Sequence, residues 1–220
     1  PNGAGKSTLI KTILGFLVPS SGSVRIFGSS VHDNPIKIRQ QIGYMPENDC
    51  YIPDITGLDF VSYMGELAGM PKDDAIQRAH EVLQYVNLGE ARYRKIEAYS
   101  IGMKQRAKLA QALIHDPIVL LLDEPTNGMD PAGRQEMLEL IREISTYKKI
   151  DVILSSHILD DVEYVCKDVI ALDQGKVVLE GNMEQLKSEH RFSYELRIKG
   201  DQKAYILALR ENDCEVDIRS

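Results

Sequence analysis

The chain has 220 residues, 43% hydrophobic and 27% charged, the composition of an ordinary globular domain with length for a sizeable core. Apolar runs such as Ile118–Leu122 are far too short to cross a bilayer, and no cationic stretch leading into an apolar one stands at the start. A net charge of −7 argues against a general nucleic-acid surface, and Cys50, Cys166 and Cys214, widely spaced and without a Cys-x-x-Cys pair, read as free thiols of a reducing compartment.

In chain order, Leu9, Ile10, Ile13, Leu14 and Leu17 recur at helical spacing, and Pro19-Ser20-Ser21-Gly22 is expected to end that helix. Val24–Phe27 reads as a short strand and Gln41–Met45 as a second. From about Ile55 to Tyr99 the pattern is helical. Pro71-Lys72-Asp73-Asp74 opens a segment whose apolar face is Ile76, Ala79, Val82, Leu83 and Val86. Lys104–Ile114 reads as a further helix, and Pro131 opens another. Ile118–Leu122 and Val152–Leu154 are short, continuously apolar runs, expected as parallel strands buried on both faces. Asp168–Leu172 and Lys176–Glu180 flank Asp173-Gln174-Gly175 as a closing hairpin. After Leu186 the pattern turns to a strand at Phe192–Ile198, a helix at Gln202–Leu209 and a strand at Cys214–Ile218.

Three blocks carry chemistry. At the start, Pro1-Asn2-Gly3-Ala4-Gly5-Lys6-Ser7-Thr8 has the glycines that let a backbone wrap phosphate oxygens, followed by a helix whose positive N-terminal end faces them. It reads as a phosphate loop lacking its leading glycine, so a strand is expected ahead of it and the chain reads as a fragment cut at the front. Further on stands Tyr99-Ser100-Ile101-Gly102-Met103-Lys104-Gln105-Arg106, and about twenty residues later a five-residue apolar strand ends in Asp123-Glu124-Pro125. Taken alone, a phosphate loop means only a nucleoside triphosphate, and an acidic pair after a core strand is as often a plain turn.

All three blocks in this order resemble the ATP-binding cassette (ABC) ATPases, over roughly residues 1–187, with the likeness strongest to the exporter-type branch. The resemblance implies an α/β P-loop fold: a mainly parallel sheet, a helical subdomain at about 52–98 and, from 188 to 220, the start of a C-terminal α+β extension. It implies ATP and Mg²⁺ as ligands. Asn2, Gly3, Ala4, Gly5, Lys6, Ser7 and Thr8 would cradle the phosphates, with Lys6 on the β- and γ-phosphates and Ser7 on Mg²⁺. Asp123 would hold Mg²⁺ through water, and Glu124 would be the general base. His157, after the run Val152-Ile153-Leu154-Ser155-Ser156, matches the family's switch histidine, on the γ-phosphate and the attacking water. The other histidines read as ordinary core or surface residues.

Ser100 and Gly102 would clasp the γ-phosphate held by a second cassette, although Ile101 stands where the family has Gly and is expected to stiffen that loop. Asn127-Gly128-Met129-Asp130 corresponds to the loop that passes between cassettes, with Asp130 at the nucleotide. Glu47, in Ile42-Gly43-Tyr44-Met45-Pro46-Glu47, replaces the family's Gln; a carboxylate there still suits Mg²⁺. The aromatic residue that stacks on adenine in this family precedes Pro1.

The implied function is ATP hydrolysis powering a membrane transporter, an exporter by branch. The partners are an integral membrane subunit and a second cassette, identical or paired; no nucleic acid is expected. The location is cytoplasmic, peripheral on the inner face of the cell membrane, with docking near Glu47–Met70 through Ile52, Ile55, Phe60 and Met64. A non-transport cassette ATPase acting on DNA or the ribosome is the alternative. It fits less well, because no heptad tract or cysteine cluster separates the phosphate loop from Ser100. A regulatory nucleotide-binding module without turnover is disfavoured by the presence of Lys6, Asp123, Glu124 and His157 together.

Overall fold

The structure is a computed structural model that describes Pro1, residues 3–189, and Tyr205, Ile206 and Leu209. The chain divides into two compact units, Pro1–Met183 and Glu184–Ser220. The strands expected at Phe192–Ile198 and Cys214–Ile218, Cys214 itself, and most of the helix expected at Gln202–Leu209 fall outside the described residues; Tyr205, Ile206 and Leu209 are helical.

Three parallel strands form the centre of the first unit: β3 (Ile42–Met45), β4 (Val119–Asp123) and β5 (Asp151–Ser155), in the order β3-β4-β5. Side chains alternate along a strand, so β4 feeds two cores. Leu120 and Leu122 pack with Met45, Phe60, Leu83, Leu109 and Ile141 on one face; Leu121 packs with Ile10, Leu14, Val31 and Ile38 on the other. The same parity turns Asp123 to the Leu121 side, where α1 (Lys6–Ile13) lies. An apolar run was therefore a sound sign of a strand buried on both faces for β4. It fails for β5: Ile153, in register with Leu121, is 47% exposed. Among the described residues β5 is a sheet edge, and the α1-side core does not reach it.

The helix after the phosphate loop is shorter than its periodicity suggested. Gly15 takes φ 71°, and the N–H groups of Gly15 and Phe16 donate to the carbonyls of Thr12 and Lys11, closing α1 at Ile13, well before Pro19. The strand expected at Val24–Phe27 is reduced to β1 (Arg25–Ile26), paired antiparallel with β2 (Ser29–Ser30). A one-turn helix, α2 (Pro35–Arg39), follows and has too few residues to show a period.

Next come α3 (Gly57–Leu67) and α4 (Lys72–Tyr85), with short 3-10 turns at Gly89–Tyr93 and Ile96–Ala98. Thr56 opens α3 by a reciprocal cap, its hydroxyl accepting from the Asp59 N–H while its own N–H donates to Asp59. Then α5 (Ile101–Leu113) lies against β3, and α6 (Pro131–Tyr147) and α7 (Leu159–Val165) flank the end of β5. A hairpin of β6 (Asp168–Asp173) and β7 (Lys176–Asn182) turns through Gln174-Gly175 as expected, and α8 (Met183–Glu189) follows. Cys50 and Cys166 are free thiols. Among the described residues no helix is long and apolar enough to cross a membrane.

The helix α5 packs closely against β3 at Gly43. At Gly43 a Cβ would overlap the Ala112 carbonyl oxygen and lie 2.5 Å from Leu120 Cδ2. Backbone and a buried core side chain cannot both yield. Gly43→Ala is expected to destabilise by about 1–3 kcal/mol or more, the scale of overpacking a filled core. The readout is a lowered urea midpoint at unchanged slope.

Candidate nucleotide site at the ends of the central strands

The alternation that turns Asp123 toward α1 also turns Ser155, its partner in parallel register, the same way. The Ser155 hydroxyl donates to Asp123 Oδ1 at 2.7 Å, and Asp123 is 1% exposed. The next residue, Glu124, leaves the strand with φ 51°, a left-handed conformation that costs an ordinary residue about 1–3 kcal/mol and concentrates at functional sites. Its N–H still donates to the Ser155 carbonyl at 2.9 Å, so the bend is held by β5.

This bend brings the Glu124 carboxylate to two basic groups from distant parts of the chain. His157 Nδ1 lies 2.8 Å from Oε2, and Lys6 Nζ lies 3.3 Å from Oε1. The Lys6 contact is an ion pair without hydrogen-bond geometry, because Oε1 is buried and accepts no hydrogen bond. Lys6 also donates to the Pro1 carbonyl at 3.0 Å. Gly5, at φ 102°, immediately precedes α1, and its neighbour Ala4 is buried with its carbonyl accepting from the Gly175 N–H. Lys6, Asp123, Glu124 and His157 thus converge from a helix N-terminus, a strand end with the bend after it, and a post-strand loop. A basic group, a bent carboxylate and a helix N-terminus at the carboxyl ends of parallel strands suit an anionic ligand.

The remaining expected residues stand elsewhere. Ser7 is half-buried beside Lys6, and Thr8 is exposed. Asn2 lies outside the described residues. Ser100 caps α5, its hydroxyl accepting from the Met103 N–H at 3.3 Å. Gly102 faces Met129 and Ile101 faces Gly128, so this loop touches the Asn127–Asp130 loop rather than Lys6. Asp130 precedes α6, and Glu47 is exposed just beyond β3. Among the described residues Ser100, Gly102, Asp130 and Glu47 form no hydrogen bond or ion pair with the Lys6–Glu124–His157 cluster. Ile101, expected to stiffen a loop, is instead the first residue of α5.

A family profile described as ABC transporter matches residues 1–127. An uncharacterised ABC transporter ATP-binding protein of Bacillus subtilis (strain 168) is 36% identical over 95% of this chain and 71% of its own length. The linearmycin resistance ATP-binding protein of the same organism is 35% identical over 96% and 68%, and the bacitracin transport ATP-binding protein of Bacillus licheniformis is 36% identical over 94% and 66%. Among solved structures, an ATP-binding cassette captured as a dimer in a post-hydrolysis state with ADP and Pi superposes with a TM-score of 0.76 at 26% identity, covering 83% of this chain and 82% of that one. Another, cbiO1 from Clostridium perfringens, part of an ABC transporter complex, gives 0.75 at 28% identity over 96% and 80%.

The chain belongs to the ABC transporter ATP-binding family. Its α/β fold is the P-loop cassette of that family, and ATP binding and hydrolysis go with the membership.

In this ABC cassette several residues that hold the site gave no sequence signal. Asp161, 1% exposed on α7, accepts from the Thr126 hydroxyl at 2.6 Å and from Arg134 at 2.5 Å. It thereby ties the segment after Glu124 to α6 and to the helix that follows His157. Gln105 donates to the Asn127 carbonyl at 2.9 Å. Lys108, buried on α5, donates to the carbonyls of Pro46 and Glu47; burial pushes its ammonium below the usual range, and Asp49, Cys50, Glu47 and Asp123 pull it partly back. Replacing Asp161 by Ala strands a buried hydroxyl and a guanidinium, so Asp161→Ala is expected to cost about 3–5 kcal/mol. Thermal melting against the parent measures this.

Proposed function

We propose that this chain is the nucleotide-binding subunit of a membrane exporter and that Glu124 is the general base of its ATPase. One observation carries the assignment of the base: Glu124 is bent out of β4 between Lys6 and His157, with one buried oxygen free of hydrogen bonds. With Oε2 engaged by His157, Oε1 is the atom left to accept a proton from the attacking water. His157, giving its Nδ1–H to Glu124, keeps Nε2 free to orient that water. In the free chain Lys6 neutralises Glu124; triphosphate oxygens would take Lys6 over and release Oε1 for its role. Positioning and charge stabilisation of this kind are most of what phosphoryl transfer asks of a protein.

Gly3, Ala4, Gly5, Ser7 and Thr8 would line the phosphates, with Asn2 in the same loop. The donors available for a divalent cation are all oxygens: the Ser7 hydroxyl, the Asp123 carboxylate and, from the loop beyond β3, Glu47. That set suits Mg²⁺, which is held by one or two carboxylates and the substrate phosphates rather than by a protein cage. Among the described residues no cluster of three acidic, His or Cys ligands exists, in keeping with that mode. When bound, Mg²⁺ would neutralise charge developing on the phosphates.

Ser100 and Gly102, remote from Lys6 in their own chain, would complete the site of a second cassette, with Asp130 at the junction. The assignment of residues 1–187 to the ATPase domain, including a helical subdomain at about 52–98, and of 188–220 to an extension belongs to the same proposal. A groove of about 580 Å³ on that subdomain, lined by Ile52, Ile55, Leu58, Tyr63 and Ile76, is the place for the membrane subunit. Phe60, expected to face that partner, does not: it is fully buried in the core. Such a partner would keep the cassette at the inner face of the cell membrane. Relatives named for bacitracin transport and linearmycin resistance support the export reading. The DNA- or ribosome-acting alternative gains no supporting observation.

Glu124→Gln in the full-length protein keeps the shape of the side chain and removes the base. ATP still binds, and steady-state hydrolysis is expected to fall roughly 10²–10⁴-fold, the contribution of a positioned base. Turnover near the parental rate would remove Glu124 from the mechanism.

A further inference from the structure

Along α5 one polar stripe runs beside β3 and the segment that follows it. His115, just past the helix, bonds through Nε2 to the Ile42 carbonyl at 3.1 Å, and Gln111 donates to the Tyr44 carbonyl at 2.6 Å. Lys108 donates to Pro46 and Glu47 at 2.9 and 2.8 Å, and Lys104 pairs with Asp49 at 3.4 Å. Each step of three or four residues along the helix matches about two along the extended chain, because the helix rises ~1.5 Å per residue and the strand ~3.3 Å. β3 is a sheet edge among the described residues, and such an edge presents carbonyls that need partners. Here they are side chains of α5.

Lys108 is the odd member of this ladder. It is 1% exposed, and burying an ammonium is unfavourable unless bonds hold it. An apolar residue would have filled the volume without that cost. What Lys108 adds is a pair of hydrogen bonds donated to the two carbonyls just past β3, one of them that of Glu47 itself. Two turns back along the same helix stand Gly102 and, at its cap, Ser100.

We propose that Lys108 is a positioning residue that makes the Glu47 segment and α5 move as one body, so that nucleotide seated at Glu47 sets how Ser100 and Gly102 are offered to the ATP of a second cassette. This rests on the site roles proposed above. Lys108 touches no nucleotide in this scheme; it acts through Glu47 and through the helix.

The test is steady-state ATP hydrolysis by the full-length protein with kcat and KM separated, beside thermal melting. Lys108→Met removes both bonds at similar volume. It is expected to lower kcat on the order of tenfold to 10²-fold, the scale of an ångström's misplacement, with KM for ATP changed by less than about twofold because uniform binding is intact. His115→Asn weakens the same ladder at the end remote from Glu47 and is expected to lower melting while keeping parental kcat. Lys108→Gln, shorter and able to reach one carbonyl, is expected to fall between parent and Lys108→Met, and carries the test should the Met variant not fold. Parental kcat in either Lys108 variant overturns the proposal, as does an equal loss of kcat in His115→Asn, which would make the ladder merely structural. Glu124→Gln in parallel separates the two readings. A parent whose turnover depends on Glu124 but not on Lys108 removes this inference alone; a parent without turnover removes both.

Discussion

Two adjacent carboxylates at the end of one buried strand set the terms for the rest of this structure. Asp123 and Glu124 are both nearly inaccessible, and an uncompensated buried ion costs on the order of several kcal/mol. The fold meets this with groups from separate regions: Ser155 for Asp123, and Lys6 and His157 for Glu124. None of these partners is near the pair in sequence, so the parallel register of β4 with β5 and the placement of α1 are what bring them in. The left-handed bend at Glu124 belongs to the same arrangement, since an extended residue there would continue the strand and its alternation.

The two cores divide the labour. The core on the Leu121 side seats α1 and therefore Lys6; the larger core on the Leu120 and Leu122 side seats α5 and α6, and with them the loops carrying Ser100 and Asp130. β4 contributes fully buried side chains to both, Leu120 and Leu122 to one and Leu121 to the other, which is why three consecutive leucines precede the acidic pair. Polar ties then refine what packing sets coarsely. Asp161 fixes the chain after Glu124 to α6 and α7, and the stripe on α5 fixes the chain after β3.

The parts legible in the sequence were those with a local signature. The helix that starts at Lys6 after Gly5, the apolar strand that ends at Asp123, and the Gln174-Gly175 turn agree with the structure because spacing and residue type suffice. His157 was legible only through the family resemblance, as a lone histidine after a strand has no signature of its own. The misreadings share a cause: they turn on what lies across from a segment. Leu17 continues the helical period, yet Gly15 ends α1 by a backbone turn that periodicity does not see. Ile153 looks as apolar as Leu121, but only one of them has a helix over it. Phe60 has the chemistry of a docking residue and the position of a core one. Lys108 and Asp161 were invisible for the same reason, since a charged residue on a helix usually faces water and only the tertiary contact shows otherwise.

The central claim is that Lys6 is shared: it is the counter-ion of Glu124 in the free chain and of the phosphates when ATP is bound. Titration calorimetry of ATP into the full-length parent and Glu124→Gln tests this directly. Neutralising the carboxylate frees Lys6 beforehand and removes a charge facing the triphosphate. Affinity should therefore rise about fivefold, the equivalent of roughly 1 kcal/mol for a partly screened ion pair. Equal or weaker binding by Glu124→Gln would mean that Lys6 is not held by Glu124 in solution, and would contradict the account of how nucleotide releases the base.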